Sequence, residues 1–176
     1  MTNHINSAGM TDFFADSIAL EDIQSLAKTY VTFDIANQSL ATDVSVVREI
    51  LDMQAVAELP NARGDVLGMI DVRGEGIAVI DLQERLGLRG NSSGEASKII
   101  VLEIGDPDKK TVGIIADRVR NVLEISDDRI EATPSVPGNW DPVAMQGVAR
   151  LDGRLVYILS FERLLGQDRP GPFDFD

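Results

Sequence analysis

The sequence predicts a mainly β protein made of two tandem barrels of about five strands each, with two short helices. Short segments rich in Val, Ile and aromatic residues alternate apolar and polar side chains, with a period of two rather than the helical value of about 3.6. Clusters of Gly, Asp, Asn and Pro separate these segments at spacings typical of turns. The order of strand and turn signals also occurs twice along the chain, which indicates two similar units.

The strand-like segments follow one another in hairpins. They are YVTFDIA at 30–36, GIAVIDL at 76–82, KIIVLEI at 98–104, TVGIIAD at 111–117 and RLVYILSF at 154–161. The predicted turns are ANQS at 36–39, RGEG at 73–76, GDPDKK at 105–110 and LDGR at 151–154. Only LQERLGL at 82–88 and FERLLGQ at 161–167 have the pattern of helices, each with a glycine near its end.

Internal repetition is the strongest evidence for two units. FDIAN at 33–37 matches LEIGD at 102–106, and VREILD at 47–52 matches VRNVLE at 119–124. The segment 68–87 aligns without a gap with 147–166, so that Gly68 coincides with Gly147 and two further glycines also match. Each repeat therefore holds enough hairpins for a small barrel, an arrangement that removes exposed sheet edges.

Composition sets the expected boundaries. Residues 1–27 form an acidic leader without Lys or Arg, which we expect to be either a short helix, with Leu20, Ile23 and Leu26 or Ala27 on one face, or a disordered extension. One domain is expected over 28–167, with partly intertwined barrel units at approximately 28–90 and 96–167 and the Gly- and Ser-rich segment 87–97 between them. Residues 168–176 are expected to be a flexible tail. A longer loop of the second repeat, 131–145, contains Trp140, either as an anchor or as an exposed contact.

Charge and composition exclude most enzymatic and nucleic-acid functions. The formal net charge of −13 opposes binding to phosphate backbones, and no basic patch offsets it. The chain has no cysteine and one histidine, His4, so we expect no metal, cofactor or thiol chemistry. No apolar run approaches the roughly 20 residues of a membrane span, and the N-terminus lacks the features of a signal peptide, so we expect a cytoplasmic protein without direct membrane insertion.

One enzymatic alternative stays open. Paired carboxylates occur in SDDRIE at 126–131 and at Asp81 with Glu84. A hydrolase of the carboxylate-pair type needs two such groups at a fixed distance, one of them with a raised pKa. A solvated charged face explains these residues more simply, so the hydrolase is a remote alternative to a protein-binding function.

Five blocks resemble, in order, the CheW-like coupling-protein family of bacterial chemotaxis. They are VVREIL at 46–51, GMIDVRGEGIAVIDLQERLGL at 68–88, KIIVLEIG at 98–105, VGIIADRVRNVLEI at 112–125 and GVARLDGRLVYILSFERLL at 147–165. The resemblance covers residues 29–166, and DVRG at 71–74 is its most diagnostic part. It implies two SH3-like five-stranded barrels and a non-enzymatic adaptor that couples methyl-accepting chemoreceptors to the histidine kinase CheA. A CheW-like scaffold for a different receptor–kinase pathway is the alternative.

The resemblance also implies two sets of binding residues. The cytoplasmic helical tip of the chemoreceptor is expected at Glu49, Ile50, Arg73, Ile99, Val119 and Val122. The regulatory domain of CheA is expected at Val31, Val44, Val47 and Gly68. Core packing is the alternative for each valine and isoleucine, and for Gly68 the alternative is a structural requirement common to both repeats.

Arg73 raises a separate question, because it lies between two apolar strand segments. A guanidinium stays charged at physiological pH, so it needs an acceptor, and a carboxylate meets that need best. The family pairs this arginine with the glutamate that matches Glu49, so an Arg73–Glu49 pair is expected. The pair either presents charge at a receptor groove or holds strands together. Asp152 occupies the equivalent place in the second repeat, which favours a role specific to the first.

Overall fold

The structure, a computed structural model, describes residues 27–90, 94–133 and 144–165. Most of the acidic leader, Trp140 with its loop, part of the 87–97 segment and the C-terminal tail lie outside the described residues. The strands are β1 (Ala27–Ile35), β2 (Gln38–Asp43), β3 (Val47–Asp52), β4 (Val66–Val72), β5 (Glu75–Ile80), β6 (Lys98–Ile104), β7 (Lys110–Ala116), β8 (Arg118–Ser126), β9 (Ile130–Glu131), β10 (Met145–Leu151) and β11 (Arg154–Leu159). The helices are α1 (Leu82–Leu86) and α2 (Phe161–Leu165). The prediction of a mainly β fold with short helices is confirmed.

The strands form two sheets, which we name after their first edge strands. The β3 sheet has the order β3-β6-β7-β5-β4, and the β8 sheet has the order β8-β1-β2-β11-β10-β9. Neighbouring strands are antiparallel except for two pairs, β5 with β7 and β2 with β11, which are parallel. The two sheets fit the two predicted β subdomains.

The two sheets do not follow the order of the chain, because each repeat gives its first hairpin to the other sheet. The β1–β2 hairpin lies in the β8 sheet, although the next strand, β3, belongs to the other sheet. In the same way the β6–β7 hairpin lies in the β3 sheet, although β8 follows it. The exchange is reciprocal. The two parallel pairs, β2 with β11 and β5 with β7, are the places where a donated hairpin pairs with a strand of the other repeat. Strands β1, β2 and β6 of the donated hairpins have consecutive buried residues and so are buried on both faces.

Three apolar cores result. The core of the β3 sheet consists of Ile70, Val72, Ile77, Val79, Ile99 and Val101. The core of the β8 sheet consists of Tyr30, Ala41, Ile125, Ala149, Val156 and Ile158. The largest, which we call the shared core, lies between the sheets and includes Phe33, Leu40, Ile100, Leu102, Leu82, Leu86, Phe161 and Leu164.

Strand β6 shows how the cores are built. Successive side chains of a strand point to opposite faces. Ile99 and Val101 therefore enter the core of the β3 sheet, whereas Ile100 and Leu102 enter the shared core. This strand is apolar on both faces because it is buried on both.

The hairpin turns at Arg73–Gly74 and Asp152–Gly153 have the same geometry. Arg73 and Asp152 both have φ of 51°, and the glycines that follow have φ of 86° and 77°. Two successive positive φ values define the type I′ turn, whose twist matches that of the flanking strands. In the first repeat Asp71 Oδ1 also accepts a hydrogen bond of 2.8 Å from the Gly74 N–H.

Gly68 and Gly147 serve one structural purpose in the two repeats, the close approach of a neighbouring backbone. A Cβ atom on Gly68, where φ is 153°, would lie 2.2 Å from the carbonyl oxygen of Ala57. A Cβ atom on Gly147 would lie 2.7 Å from the carbonyl oxygen of Glu131. In both places a short segment hydrogen-bonds beside the glycine strand, through Ala57 with Met69 and through β9 with β10.

We expect Gly68→Ala to lower the free energy of unfolding by about 1–3 kcal/mol, because the added methyl group forces the Ala57 backbone away. Urea denaturation followed by circular dichroism measures the change. Gly64→Ala is the matched control, since a Cβ atom there meets nothing within 4 Å. Equal stability of the two variants would contradict this role of Gly68.

Candidate protein-binding groove

Strands β3 and β8 are each one of the two edge strands of their sheets, and they occupy equivalent places in the two repeats. The alignment of VREILD with VRNVLE pairs Val47 with Val119 and Ile50 with Val122. Val47 and Val119 are partly buried and pack against the shared core. The two edge strands therefore place residues from equivalent repeat positions at the rim of the shared core.

A β-bulge in each edge strand sets the direction of these side chains. In β3 the pairing shifts between Val47, opposite Leu102, and Glu49, opposite Val101. In the β8–β1 pairing the register shifts between the partners Val119 and Val122 of β8. An extra residue reverses the alternation of side chains, so residues three apart lie on the same face. Val47 with Ile50, and Val119 with Val122, therefore point to the same side of their strands.

Cross-strand partners show that this side is the one that faces the shared core. Residues directly opposite in a sheet share a face. Ile50 lies opposite Ile100, which belongs to the shared core. Val122 lies opposite Val31, and Val31 lies opposite Thr42 and so in one row with Leu159 of the same core.

Ile50 and Val122 are nevertheless exposed, with 39% and 60% of their surface accessible. Each extends the apolar face of its edge strand from the shared core to the surface. Because Val47 and Val119 pack against the same core, we treat Val47, Ile50, Val119 and Val122 as one candidate surface and call it the groove. An apolar surface bounded by two edge strands suits the apolar face of a partner helix.

Two ion pairs join β3 to the β4–β5 turn beside the groove. Arg73 donates to Glu49, as expected from the sequence, and Arg48 Nη1 lies 3.0 Å from Glu75 Oε1. Because β3 and β4 are the two ends of the sheet order, these pairs close the β3 sheet into a barrel. The hydrogen bond and charge of Glu49, with a smaller contribution from Glu75, raise the pKa of Arg73 above its usual value.

The Arg73–Glu49 pair is exposed, with 67% of the arginine side chain and 21% of the glutamate side chain accessible. An exposed ion pair contributes little to the stability of a fold, because solvent screens its charges. The pair therefore contributes little to the stability of the closed barrel, and its charges are accessible to solvent beside Ile50. Sequence reasoning did not identify Arg48 and Glu75, although their opposite charges flank the same two motifs.

The far end of β3 carries a further pair, between Lys98 and Asp52, which lie opposite one another in the sheet. The hydrogen bond and charge of Lys98 lower the pKa of the Asp52 carboxyl below its usual value. The Asp52 side chain is 87% accessible and the Lys98 side chain 41% accessible, so this pair adds charge to the edge strand rather than a buried constraint.

The remaining predicted site residues have different surroundings. Ile99 is fully buried in the core of the β3 sheet, and Val31 is 1% exposed on the central strand β1. Neither offers side-chain surface to a partner, so we leave both out of the proposed surfaces. Val44 is exposed in the 3-10 turn between β2 and β3, and Gly68 lies inside the hydrogen-bonded contact with Ala57.

The described residues contain no group of three or more His, Cys, Asp or Glu side chains placed to hold a metal ion. Asp81 and Glu84, one of the two carboxylate pairs considered for hydrolysis, instead form a helix cap, because Asp81 Oδ1 accepts a hydrogen bond of 3.1 Å from the Glu84 N–H. Across 27–90, 94–133 and 144–165, no helix is long and apolar enough to cross a membrane.

Comparisons with known proteins agree with this architecture. A probable chemotaxis protein CheW of Rhizobium etli is 26% identical over 151 residues, which cover 86% of this chain and 96% of the relative. The chemotaxis protein CheW of Thermotoga maritima is 29% identical over 77% of this chain and 85% of its own length. The crystal structure of the scaffolding protein TtCheW from Thermoanaerobacter tengcongensis superposes with a TM-score of 0.70 at 29% identity, over 78% of this chain and 86% of that one.

The family model of the CheW-like domain matches residues 29–169. This range includes every strand except the first two residues of β1, and it includes the Arg73 turn. The prediction of a non-enzymatic adaptor, and not of a hydrolase, is confirmed by relatives that are chemotaxis and scaffolding proteins. Because the CheW-like domain matches most of the chain and the relatives are chemotaxis and scaffolding proteins, this chain, with its two sheets joined through one core, belongs to the CheW-like domain family and is a chemotaxis adaptor.

Proposed function

We propose that this adaptor couples methyl-accepting chemoreceptors to the histidine kinase CheA. The groove receives the cytoplasmic helical tip of the receptor, and a separate surface around Val44 binds the regulatory domain of CheA. The protein works in the cytoplasm and reaches membrane receptor arrays through these partners. The observation that supports the proposal most directly is the matched pair of exposed residues, Ile50 and Val122, on the two bulged edge strands.

The groove has the chemistry that a helical partner requires. A helix that lies in a groove contributes apolar side chains from one face, and its polar face remains in water. Ile50 and Val122 supply apolar contacts from the two sides, and Val47 and Val119 supply the partly buried floor. The exposed Arg73–Glu49 pair beside Ile50 offers one charge of each sign, which fixes the orientation of a polar helix surface more than it adds affinity.

The proposed CheA-binding surface has less exposed apolar area than the groove. Val44 supplies an exposed apolar side chain, and Val47 follows it after the 3-10 turn. Gly68 lies inside the backbone contact with Ala57 and offers no side chain to a partner. We assign the CheA contact to Val44 and keep Val47 in the groove.

Arg73→Ala tests the receptor part of the proposal. We expect only a small loss in the free energy of unfolding, because the pair is exposed and screened by solvent. We also expect the affinity for a chemoreceptor tip fragment to fall about tenfold, a change of about 1.4 kcal/mol. Isothermal titration with that fragment measures the affinity, and titration with the CheA regulatory domain should give an unchanged value.

Lys109→Ala is the matched control, because it removes an exposed ion pair with Glu103 at the β6–β7 turn, outside the groove. Receptor affinity should be unaffected in that variant. If Arg73→Ala lowered stability and left receptor affinity at its wild-type value, Arg73 would act only within the fold. If wild-type protein bound neither partner, the coupling function itself would be wrong.

A further inference from the structure

Each sheet is completed by strands of the other repeat. The first repeat contains β1 to β5 with α1, and the second contains β6 to β11 with α2. In the β3 sheet, β6 and β7 of the second repeat lie between β3 and β5 of the first. In the β8 sheet, β1 and β2 of the first repeat lie between β8 and β11 of the second. The donated hairpin is therefore central in each sheet.

A repeat taken by itself lacks a continuous sheet. The only described neighbour of β3 is β6, and the only described neighbour of β8 is β1. The pairings that remain inside the first repeat are the hairpins β1–β2 and β4–β5, and those inside the second are β6–β7 and β10–β11 with the short β9. Isolated two-stranded hairpins are marginally stable in water, so each repeat needs the other as its folding partner.

The groove depends on both repeats in the same way. Val47 and Ile50 belong to the first repeat, and Val119 and Val122 belong to the second. The shared core, against which Val47 and Val119 pack, is also built from both. A complete groove thus requires one repeat of each kind, but it does not require that both belong to one chain.

The segment 87–97 joins the repeats, and its described hydrogen bonds lie on either side of residues 91–93. Gln83 Nε2 donates to the Gly90 carbonyl oxygen at 2.9 Å, within the part that follows α1. The Ser97 N–H donates to the Gly94 carbonyl oxygen at 3.1 Å, within the part that precedes β6. A chain that passes from one copy to another between Gly90 and Gly94 therefore keeps both hydrogen bonds.

We propose that a second copy of this chain is a partner that swaps repeats, so that the first repeat of each copy folds with the second repeat of the other. The resulting dimer contains two complete units, each with both sheets, one shared core and one groove. Every contact inside a unit is that of the monomer, as in other domain-swapped dimers. The swap itself is independent of the proposed function, and only the use of the two grooves by receptor tips rests on it.

Concentration decides between the monomer and the swapped dimer. A short flexible linker holds its two ends at an effective concentration on the order of mM, and a second copy must compete with that value. We therefore expect the dimer when chains fold together at high concentration and the monomer when they fold in dilute solution. A shorter linker favours the swap, so a variant without residues 91–93 should contain more dimer than the wild type in analytical ultracentrifugation.

Introduced cysteines test the swap directly, because the chain has none of its own. Asp52 and Lys98 lie directly opposite each other in the pairing of β3 with β6. Opposite residues of antiparallel strands have a Cα separation that a disulfide can bridge. Full-length Asp52→Cys and Lys98→Cys chains would be unfolded together in urea, refolded at high concentration and oxidised. We expect a covalent dimer with one copy of each chain on a non-reducing gel.

Glu103→Cys takes the place of Lys98→Cys in the matched control. Glu103 is also on β6, but it lies opposite Thr111 and about 17 Å along the strand from position 98. This mixture should stay non-covalent. A single chain with both Asp52→Cys and Lys98→Cys should form the disulfide internally when it folds in dilute solution. If that chain oxidises and the test mixture gives no more covalent dimer than the control mixture, the swap is overturned.

A further pair of chains tests whether a groove can be built from two copies. Ile50→Asp is added to the Asp52→Cys chain, and Val122→Asp is added to the Lys98→Cys chain. In their covalent dimer one unit carries both aspartates and the other unit carries neither. We expect calorimetry to give one chemoreceptor tip fragment per dimer with wild-type affinity, whereas each chain refolded alone in dilute solution should bind weakly.

The outcomes separate the swap from the proposed function. A covalent dimer that does not bind the fragment, when the wild type does bind it, would overturn a groove built from two copies. Failure of the wild type to bind the fragment, with the covalent dimer formed, would reject the proposed function while the swap stands.

Discussion

Phe33→Ala is expected to lower the free energy of unfolding by about 3–5 kcal/mol. Phe33 is fully buried in the shared core and stacks on Phe161 of α2, with ring centroids 6.5 Å apart. Removal of the ring takes away its apolar burial and leaves a cavity that the fixed sheets on both sides cannot fill. Such a loss is a large share of the roughly 5–15 kcal/mol that stabilises a typical domain.

The same variant tests whether the two barrels fold as one unit. Phe33 lies in the donated hairpin, and the shared core includes residues from both sheets. We therefore expect a single unfolding transition at a lower urea concentration, observed equally by methyl signals of Ile77 and Ile158 in the two barrel cores. Leu155→Ala, at an exposed position, should stay within about 0.5 kcal/mol of the wild type. Separate transitions for the two barrels would contradict the shared core as the main link.

The second large effect concerns binding. The double variant Ile50→Asp with Val122→Asp should weaken receptor tip binding by about 100-fold, or about 2.8 kcal/mol. Each substitution places a carboxylate on the apolar surface that a helix would cover, and the buried charge would lack a partner. Because both side chains are exposed in the free protein, we expect the unfolding free energy to fall by less than about 2 kcal/mol.

Leu155→Asp is the control for this experiment. Leu155 is also an exposed apolar residue, but β11 lies three strands from β8 in the sheet order. Titration calorimetry should give wild-type affinity for the control and the large loss for the double variant. If both variants weakened binding equally, general acidity rather than the groove would explain the effect, and the assignment of the groove would be wrong.

The sequence predicted the strands and turns well because their signals are local. Gly74 and Gly153 mark type I′ turns, an alternating apolar pattern marks strands such as β4, and a continuous apolar run marks β6. The Arg73–Glu49 pair was also expected, because a permanent cation needs an acceptor and the resemblance to the CheW-like family implied Glu49 as that acceptor. The strand and turn signals depend on a few neighbouring residues, and the ion pair depends on the need of the Arg73 guanidinium for an acceptor.

The hairpin exchange was not predictable in detail from the repeats. Repetition indicates two similar units, but it is equally consistent with each unit keeping its own first hairpin. The outcome depends on which sheet each hairpin joins. It is determined by the parallel contacts between β5 and β7 and between β2 and β11, which pair residues far apart in the chain. Local propensity carries no information about such pairings.

The sequence also could not predict which of the candidate residues are exposed. Ile50 and Ile99 look alike in the sequence, since both lie in apolar strand segments. Ile99 is buried because β6 is covered on both faces, whereas Ile50 is exposed because β3 is an edge strand with a bulge. Edge position and bulge are properties of the assembled sheet, so the sequence pattern cannot separate a groove residue from a core residue.

The most direct test of the adaptor account is whether one molecule binds both partners at once. The receptor tip fragment would be titrated into the protein alone and into the protein saturated with the CheA regulatory domain. The groove and the Val44 surface are separate, so we predict equal or tighter receptor binding in the second titration and a ternary complex with one copy of each component. Competition between the two partners, or binding of only one of them, would contradict the account.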